Sequence, residues 1–265
     1  MSNEQDQFYS SISKYYSEIF PYQPMQLQFV KSKAGELAGK QILDIGCATG
    51  KLAFQLAEAE AGAKVTGIDL NEDLLGQALG CSGFRSADLP IRGSEPDKYR
   101  VASLKFQIGN MLDLETDFKP AQFDVVLCFG NTLVHLQTIE LIQQMLNGIF
   151  AVLKTGGRFL LQILNYDYIF TEQVSELPPI ETENIRFIRK YKFEENSPLI
   201  RFQTELILKK VEKTISNETL LFGLKSAELT ELLKEAGFTE IKLYSNFKQE
   251  PFGGKHLPLV VSCKK

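Results

Sequence analysis

The spacing of apolar residues changes along the chain, and each change marks a different kind of element. Near the start, Phe8, Ile12, Tyr15, Tyr16 and Ile19 recur near helical spacing, which predicts an amphipathic helix over residues 7–20. Pro21 and Pro24 end it, and a second helix is expected over about 25–37. Short apolar runs then follow at 42–45 (ILDI), 64–69 (KVTGID), 104–109 (LKFQIG), 123–128 (FDVVLC) and 158–164 (RFLLQIL). The first, with Ile42, Leu43 and Ile45, is a run of the kind that suits a strand covered on both faces, and helical patterns lie between most of the runs. One such pattern carries Leu52, Phe54 and Leu56; another, capped by Thr138, carries Ile142, Met145, Leu146, Ile149 and Leu153. From Ile185 to Leu224 the runs IRFIRKYKF, LIRFQTELILKK and ETLLFGL have no helix between them, which predicts antiparallel strands. Ser226 is placed to cap a last helix with Leu229, Leu232, Leu233 and Ala236 on one face, closed by Gly237. Residues 239–247 and 257–263 read as a terminal strand pair.

The fold class is therefore α/β. One domain over 1–265 holds a seven-stranded, mostly parallel, doubly wound sheet. Its parts are N-terminal helices (1–38), a core (39–184 and 225–265) and an antiparallel cap inserted after the fifth strand (185–224). Lys154 to Gly157 form the turn into that fifth strand. Between Gly80 and Tyr99 lies a polar stretch rich in Gly, Ser and Pro, too long for an ordinary connection, and expected as a surface insertion.

Chemistry concentrates at the carboxyl ends of these strands. Gly46 and Gly50 bracket a tight turn between the first strand and its helix, which places a ligand there. A dinucleotide fingerprint would need glycine where Ala48 and Lys51 stand, so a nicotinamide cofactor is disfavoured. The second strand ends in Asp69, at the offset of a carboxylate that accepts from both hydroxyls of a ribose. Its rival role, capping the next helix, can be filled by Asn71.

Composition removes several classes. Twenty-nine basic and 33 acidic residues leave a net charge of −4, without the basic excess of a nucleic-acid binder. The basic clusters at Arg186, Arg189, Lys190 and Lys192 and at Lys209, Lys210 and Lys213 fall in strand-like segments and are expected as solvated faces. Cys47, Cys81, Cys128 and Cys263 show no metal-type pairing, so no metal is expected and each thiol is read as a small buried hydrophobe. The polar start MSNEQDQ, the absence of a long apolar run and the cysteine usage lead to an expectation of a cytoplasmic protein that binds neither membrane nor nucleic acid.

The string Asp44-x-Gly46-x-x-x-Gly50 resembles motif I of the class I S-adenosylmethionine (SAM) methyltransferases. The resemblance implies SAM as cofactor, held by Asp44, Gly46, Cys47, Ala48 and Gly50 on the first turn and by Asp69 and Leu70 after the second strand. It implies Asn110 and Met111 beside the adenine, Asn110 accepting from the amino group with its amide oxygen, with Asp113 as a rival. Phe129 and Gly130 complete the cofactor set. The string Gly130-Asn131-Thr132-x-x-His135-Leu136 resembles the glycine and sarcosine N-methyltransferases and related amine methyltransferases, and the motif of enzymes acting on exocyclic amines of nucleic-acid bases is missing. It implies Asn131 and His135 at the transferred methyl. The segment YYSEIFP resembles the N-terminal closing segment of small-molecule methyltransferases and implies Tyr16 at the site. The expected reaction is methyl transfer to a small-molecule acceptor, an amine first and an oxygen or carbon nucleophile as the alternative. A catalytically silent SAM binder stays open. In resembling enzymes the cap shapes the acceptor pocket or a dimer contact, so monomer and homodimer both stay open. One departure bears on the acceptor: Leu164 stands where the glycine enzymes carry a carboxylate-gripping arginine before Asn-Tyr-Asp. Glycine and sarcosine are thus expected to be poor acceptors, unless Arg186 or Arg201 of the cap replaces that arginine.

Overall fold

The computed structural model describes residues 3–59, 63–81 and 104–265; the predicted insertion over 80–99 lies almost wholly outside the described residues. Five strands run parallel: β1 (Gln41–Ile45), β2 (Lys64–Asp69), β3 (Leu104–Ile108), β4 (Phe123–Cys128) and β5 (Leu153–Leu164). With β10 (Thr239–Tyr244) and β11 (Pro258–Lys264) they form one seven-stranded sheet in the order β10-β11-β5-β4-β1-β2-β3, in which β11 is antiparallel to both neighbours. Chain order reverses beside β1, which sits between β2 and β4, so the loops after β1 and β4 diverge and leave a crevice at the carboxyl edge. The central strands are buried on both faces, unlike edge strands β3 and β10: one face contributes Ile42, Val65, Val125 and Leu127 to a core beneath α3 (Pro24–Ala34), α4 (Lys51–Ala59) and α5 (Glu72–Cys81). The other contributes Leu43, Val126, Phe159 and Leu161 to a larger core under α7 (Ile139–Val152) and α9 (Ser226–Glu235).

The second sheet is antiparallel and four-stranded, β6 (Glu176–Glu181), β7 (Ile185–Phe193), β8 (Leu199–Leu208) and β9 (Lys213–Phe222). It begins earlier than the pattern predicts. Pro178 and Pro179 hide β6 from a sequence reading, because proline is barred from central strands; β6 is an edge strand, and its register shifts between Leu177 and Ile180. A third apolar cluster, with Phe8, Ile12, Ile19, Phe187 and Leu206 at its centre, joins this cap to the N-terminal helices.

Three local expectations need correction. The first helix breaks: α1 (Asn3–Ile12) gives way to a 3₁₀ turn over Ser13–Tyr15 before α2 (Tyr16–Ile19). Ser11 and Ser13 hydroxyls donate back to the carbonyls of Phe8 and Ser10, and Gln77 of α5 takes the Ser13 carbonyl, so serines bend the helix. The Lys154–Gly157 turn is an irregularity inside β5, where Gly156 (φ +80°) and Gly157 exchange backbone hydrogen bonds with Lys265. Ser226 is the first helical residue of α9 rather than its cap; its N–H donates to Asp167 Oδ2 at 3.0 Å, from α8 (Tyr166–Thr171). Thr138 and Asn71 do cap their helices, accepting from Leu141 and Leu74.

Candidate active site

A cavity of about 280 Å³ opens at the carboxyl edge, over the ends of β1 and β2. Its floor is the β1 turn. Gly46 has φ +71° and Gly50 φ +69°, conformations that favour glycine. A side chain at Gly46 would lie 2.7 Å from Thr132, so this glycine lets the turn after β1 meet the turn after β4. Ala48, also at positive φ, donates its N–H to Asp69 Oδ2 at 2.8 Å. Asn71 N–H donates to Asp69 Oδ1 at 2.9 Å. Both Asp69 oxygens thus take backbone donors and keep lone-pair capacity for a ligand. Burial raises its pKa despite those bonds.

Of the sequence-predicted residues, Tyr16, Gly46, Ala48, Asp69, Leu70, Met111, Gly130 and His135 line this one cavity. The others stand behind its wall. Asp44 is 4% exposed, and burial together with the nearby Asp69 carboxylate pushes its pKa up to about 7. Cys47 and Phe129 belong to the core beneath α3 and α4. Gly50 rests on the Phe106 ring. Asn110 turns its amide oxygen to the Leu112 N–H. Asn131, in the left-handed region, accepts from Leu164 N–H at 2.9 Å and donates to Tyr166 Oη at 3.1 Å, tying the end of β4 to the end of β5.

The structure adds residues the sequence reading missed. Tyr9 and Asp6 of α1 line the cavity, and Tyr9 Oη lies 2.9 Å from His135 Nε2. Tyr9 and Tyr16 are seven positions apart, two helical turns, which would have been the signal; their rings lie 6.2 Å apart. Burial raises the pKa of both tyrosines and lowers that of His135 to about 4, so the imidazole is neutral at physiological pH. His135 Nδ1 is buried with no partner among the described residues. Asn71 binds Asp6 Oδ1 (2.7 Å) and Ser10 Oγ (2.9 Å), fastening α1 across the cavity. The lining among the described residues is apolar (Ile45, Leu70, Leu74, Met111), aromatic and acidic, without lysine or arginine. No cluster of metal-ligating side chains occurs among the described residues, and no helix among them is long and apolar enough to cross a membrane.

A turn of this kind after β1, an acid at the end of β2 and this strand order define a nucleoside-type site on a doubly wound sheet. The chain belongs to the methyltransferase domain family, whose pattern matches residues 36–237. It is 30% identical over 175 residues, 63% of this chain and 62% of the relative, to a protein of Geobacillus sp. (strain WCH70) named as a methyltransferase. The match therefore spans less than two thirds of that relative. It is 27% identical over 237 residues, 85% of this chain and 84% of the relative, to the ubiquinone biosynthesis O-methyltransferase of Aromatoleum aromaticum. Its fold matches a crystal structure of a SAM-dependent methyltransferase from Clostridium acetobutylicum with a TM-score of 0.74 at 15% identity, covering 97% of this chain and 98% of the other.

Proposed function

We propose that the protein transfers a methyl group from SAM to a small-molecule acceptor, an amine in the first instance. The observation that carries this is the Asp69 carboxylate, fixed by two backbone donors at the end of β2 and facing the cavity with lone pairs to spare. That pair of acceptor oxygens suits a ribose diol, and the apolar walls around Leu70, Leu74 and Met111 suit a purine. Nothing cationic lines the described cavity to hold a pyrophosphate, whereas two carboxyls, buried Asp44 and cavity-facing Asp69, favour a cationic cofactor. When bound, SAM supplies a methyl on a sulfonium that is already an activated leaving group.

The chain's own work is alignment and exclusion of water. Tyr9 and Tyr16 of the N-terminal segment, with His135, wall the cavity. Tyr9 Oη and His135 Nε2 share one hydrogen bond whose direction follows the imidazole tautomer, and Nδ1 is shielded. An imidazole pushed down to about 4 is a poor match for deprotonating an ammonium at neutral pH. The site therefore suits an amine that binds with its lone pair already free rather than one that His135 must deprotonate. Asn131 acts as a positioning residue, ordering Leu164 and Tyr166 beside the acceptor side of the site.

A second reading, transfer to oxygen, is favoured by the Aromatoleum relative, an O-methyltransferase by name. The test is calorimetry with SAM and S-adenosylhomocysteine, then incubation of protein and SAM with a mixed amine and metabolite extract, read by mass spectrometry. Methylated amines are expected. Products methylated only on oxygen favour the second reading, and SAM binding without any product would leave a silent binder.

A further inference from the structure

The turn after β4 is held by one residue of β5. Gly130 (φ +77°) and Asn131 (φ +68°) follow each other in the left-handed region, which for asparagine persists only where neighbours fix it. Gln162 does so twice. Its side-chain Oε1 accepts from the Gly130 N–H at 2.9 Å, and its backbone carbonyl accepts from the Asn131 N–H at 3.1 Å. The side-chain nitrogen of Gln162 donates to the Ile163 carbonyl at 3.0 Å, so the amide stands with its oxygen toward Gly130.

Taking both N–H groups decides where the carbonyls go. A trans peptide sets its N–H and its carbonyl on opposite sides of the chain, and no cis bond occurs among the described residues. With the Gly130 and Asn131 N–H groups drawn to β5, the carbonyls of Phe129 and Gly130 point away from it, toward β1, the neighbour of β4 on its other side. Thr132 agrees with that direction. Its Oγ1 donates to the Phe129 carbonyl at 2.9 Å, and the same side chain lies 2.7 Å from where a Cβ on Gly46 would stand, at the end of β1. Gly46, Gly130 and Thr132 all line the cavity between the two turns.

The Gly130 carbonyl is left open to that cavity. No described residue donates to it, Gly130 is exposed, and a Cβ added there would meet nothing within 4 Å. With a ribose at Asp69 and a purine against Leu70, Leu74 and Met111, the part of SAM that carries the sulfur lies along the remaining wall, which Gly46, Gly130 and Thr132 form. A carbonyl dipole there presents its negative end to a sulfonium, and meets only a neutral thioether in S-adenosylhomocysteine.

We infer that Gln162 is a positioning residue: by holding both N–H groups of the β4 turn it aims the Gly130 carbonyl at the sulfonium, and so sets how the site tells SAM from its demethylated product. The inference rests on the methyl-transfer reading above. Gln162 stands outside the cavity lining and acts through Gly130. A side chain without an acceptor oxygen leaves only the backbone tie. The Phe129–Gly130 peptide is then free to turn, and glycine, the residue least restricted in φ and ψ, passes that turn on to its own carbonyl.

The test needs no methyl acceptor. The full chain is titrated by calorimetry with SAM, with S-adenosylhomocysteine and with sinefungin, which carries a protonated amine where SAM carries its methyl. Gln162→Met keeps the length of the side chain and loses the oxygen. It should weaken SAM and sinefungin about fivefold relative to S-adenosylhomocysteine, whose own affinity stays within about twofold of wild type. Gln162→Glu keeps an oxygen for the Gly130 N–H and should hold the wild-type ratio or raise it. A residue that only braces the fold would move all three ligands by one factor. Equal shifts or no shift in Gln162→Met therefore overturn the proposal, as does a ratio lost in Gln162→Glu as much as in Gln162→Met. If none of the three binds the wild-type protein, the methyl-transfer reading falls and takes the inference with it; equal shifts in a protein that binds them sink the inference alone. Should Gln162→Met fail to fold, Gln162→Asn, one methylene too short to reach the Gly130 N–H, takes its place with the same expectation.

Discussion

At the residue scale, two carboxyls of the cavity region are asked to do different things. Asp69 accepts from the Ala48 and Asn71 N–H groups, and in the proposed function its remaining lone pairs would take a ribose. Two charge-assisted hydrogen bonds are each worth roughly 1.5–3 kcal/mol, so Asp69→Ala should cut SAM affinity at least about tenfold by calorimetry. Asp44 makes a pH prediction instead. Its folded pKa, raised to about 7, stands above the unfolded value near 4. The ligand-free fold keeps that proton over a range where the unfolded chain has lost it, so this group's contribution to stability falls as pH rises from about 4 to about 7. A bound cation expels the proton, so SAM affinity should rise with pH up to about 7 and then level off. In Asp44→Asn the rise should shrink, as titration calorimetry across that range will show. The places of Gly46 and Asp69 at the cavity were legible in sequence because a turn and a strand offset are local patterns. Tyr9 was not, since its importance comes from His135, 126 residues away in the chain. Asn110 carries a contact the motif does not reveal, its amide oxygen accepting from the Leu112 N–H.

At the element scale, the central strands of the parallel sheet were legible because burial on both faces writes apolar runs, while strand β6 and the cap of α9 were not. Strand β6 carries two prolines that an edge tolerates and a pattern search rejects. The start of α9 is similar. A serine before an apolar stripe suggested a self-contained cap, but the acceptor comes from Asp167, 59 residues earlier. Asp167→Ala should therefore cost about 1 kcal/mol, lowering Tm by a few degrees in calorimetric melts. Ser226→Ala should cost much less, the reverse of the order that sequence suggests.

At the scale of the whole molecule, the N-terminal helices hold the two sheets' shared surface. Phe8, Ile12 and Ile19 cover Phe187 and Leu206 of the cap, while Tyr9 and Asp6 complete the cavity. Removing residues 1–20 should leave the seven-stranded sheet folded, weaken S-adenosylhomocysteine binding, and expose an apolar cap face that self-associates. Light scattering and calorimetry check both halves. The attachment of α1 has a further consequence. Asn71 grips it from the sheet, Asn217 from the cap and His135 from between them, so the helix is sewn to both banks of the opening it spans. Traffic through that opening then runs on the helix's clock rather than on diffusion. Exit of a spent ligand should show the steep temperature dependence of a local melting event, and loosening one stitch, as in Asn217→Ala, should quicken release more than it weakens affinity.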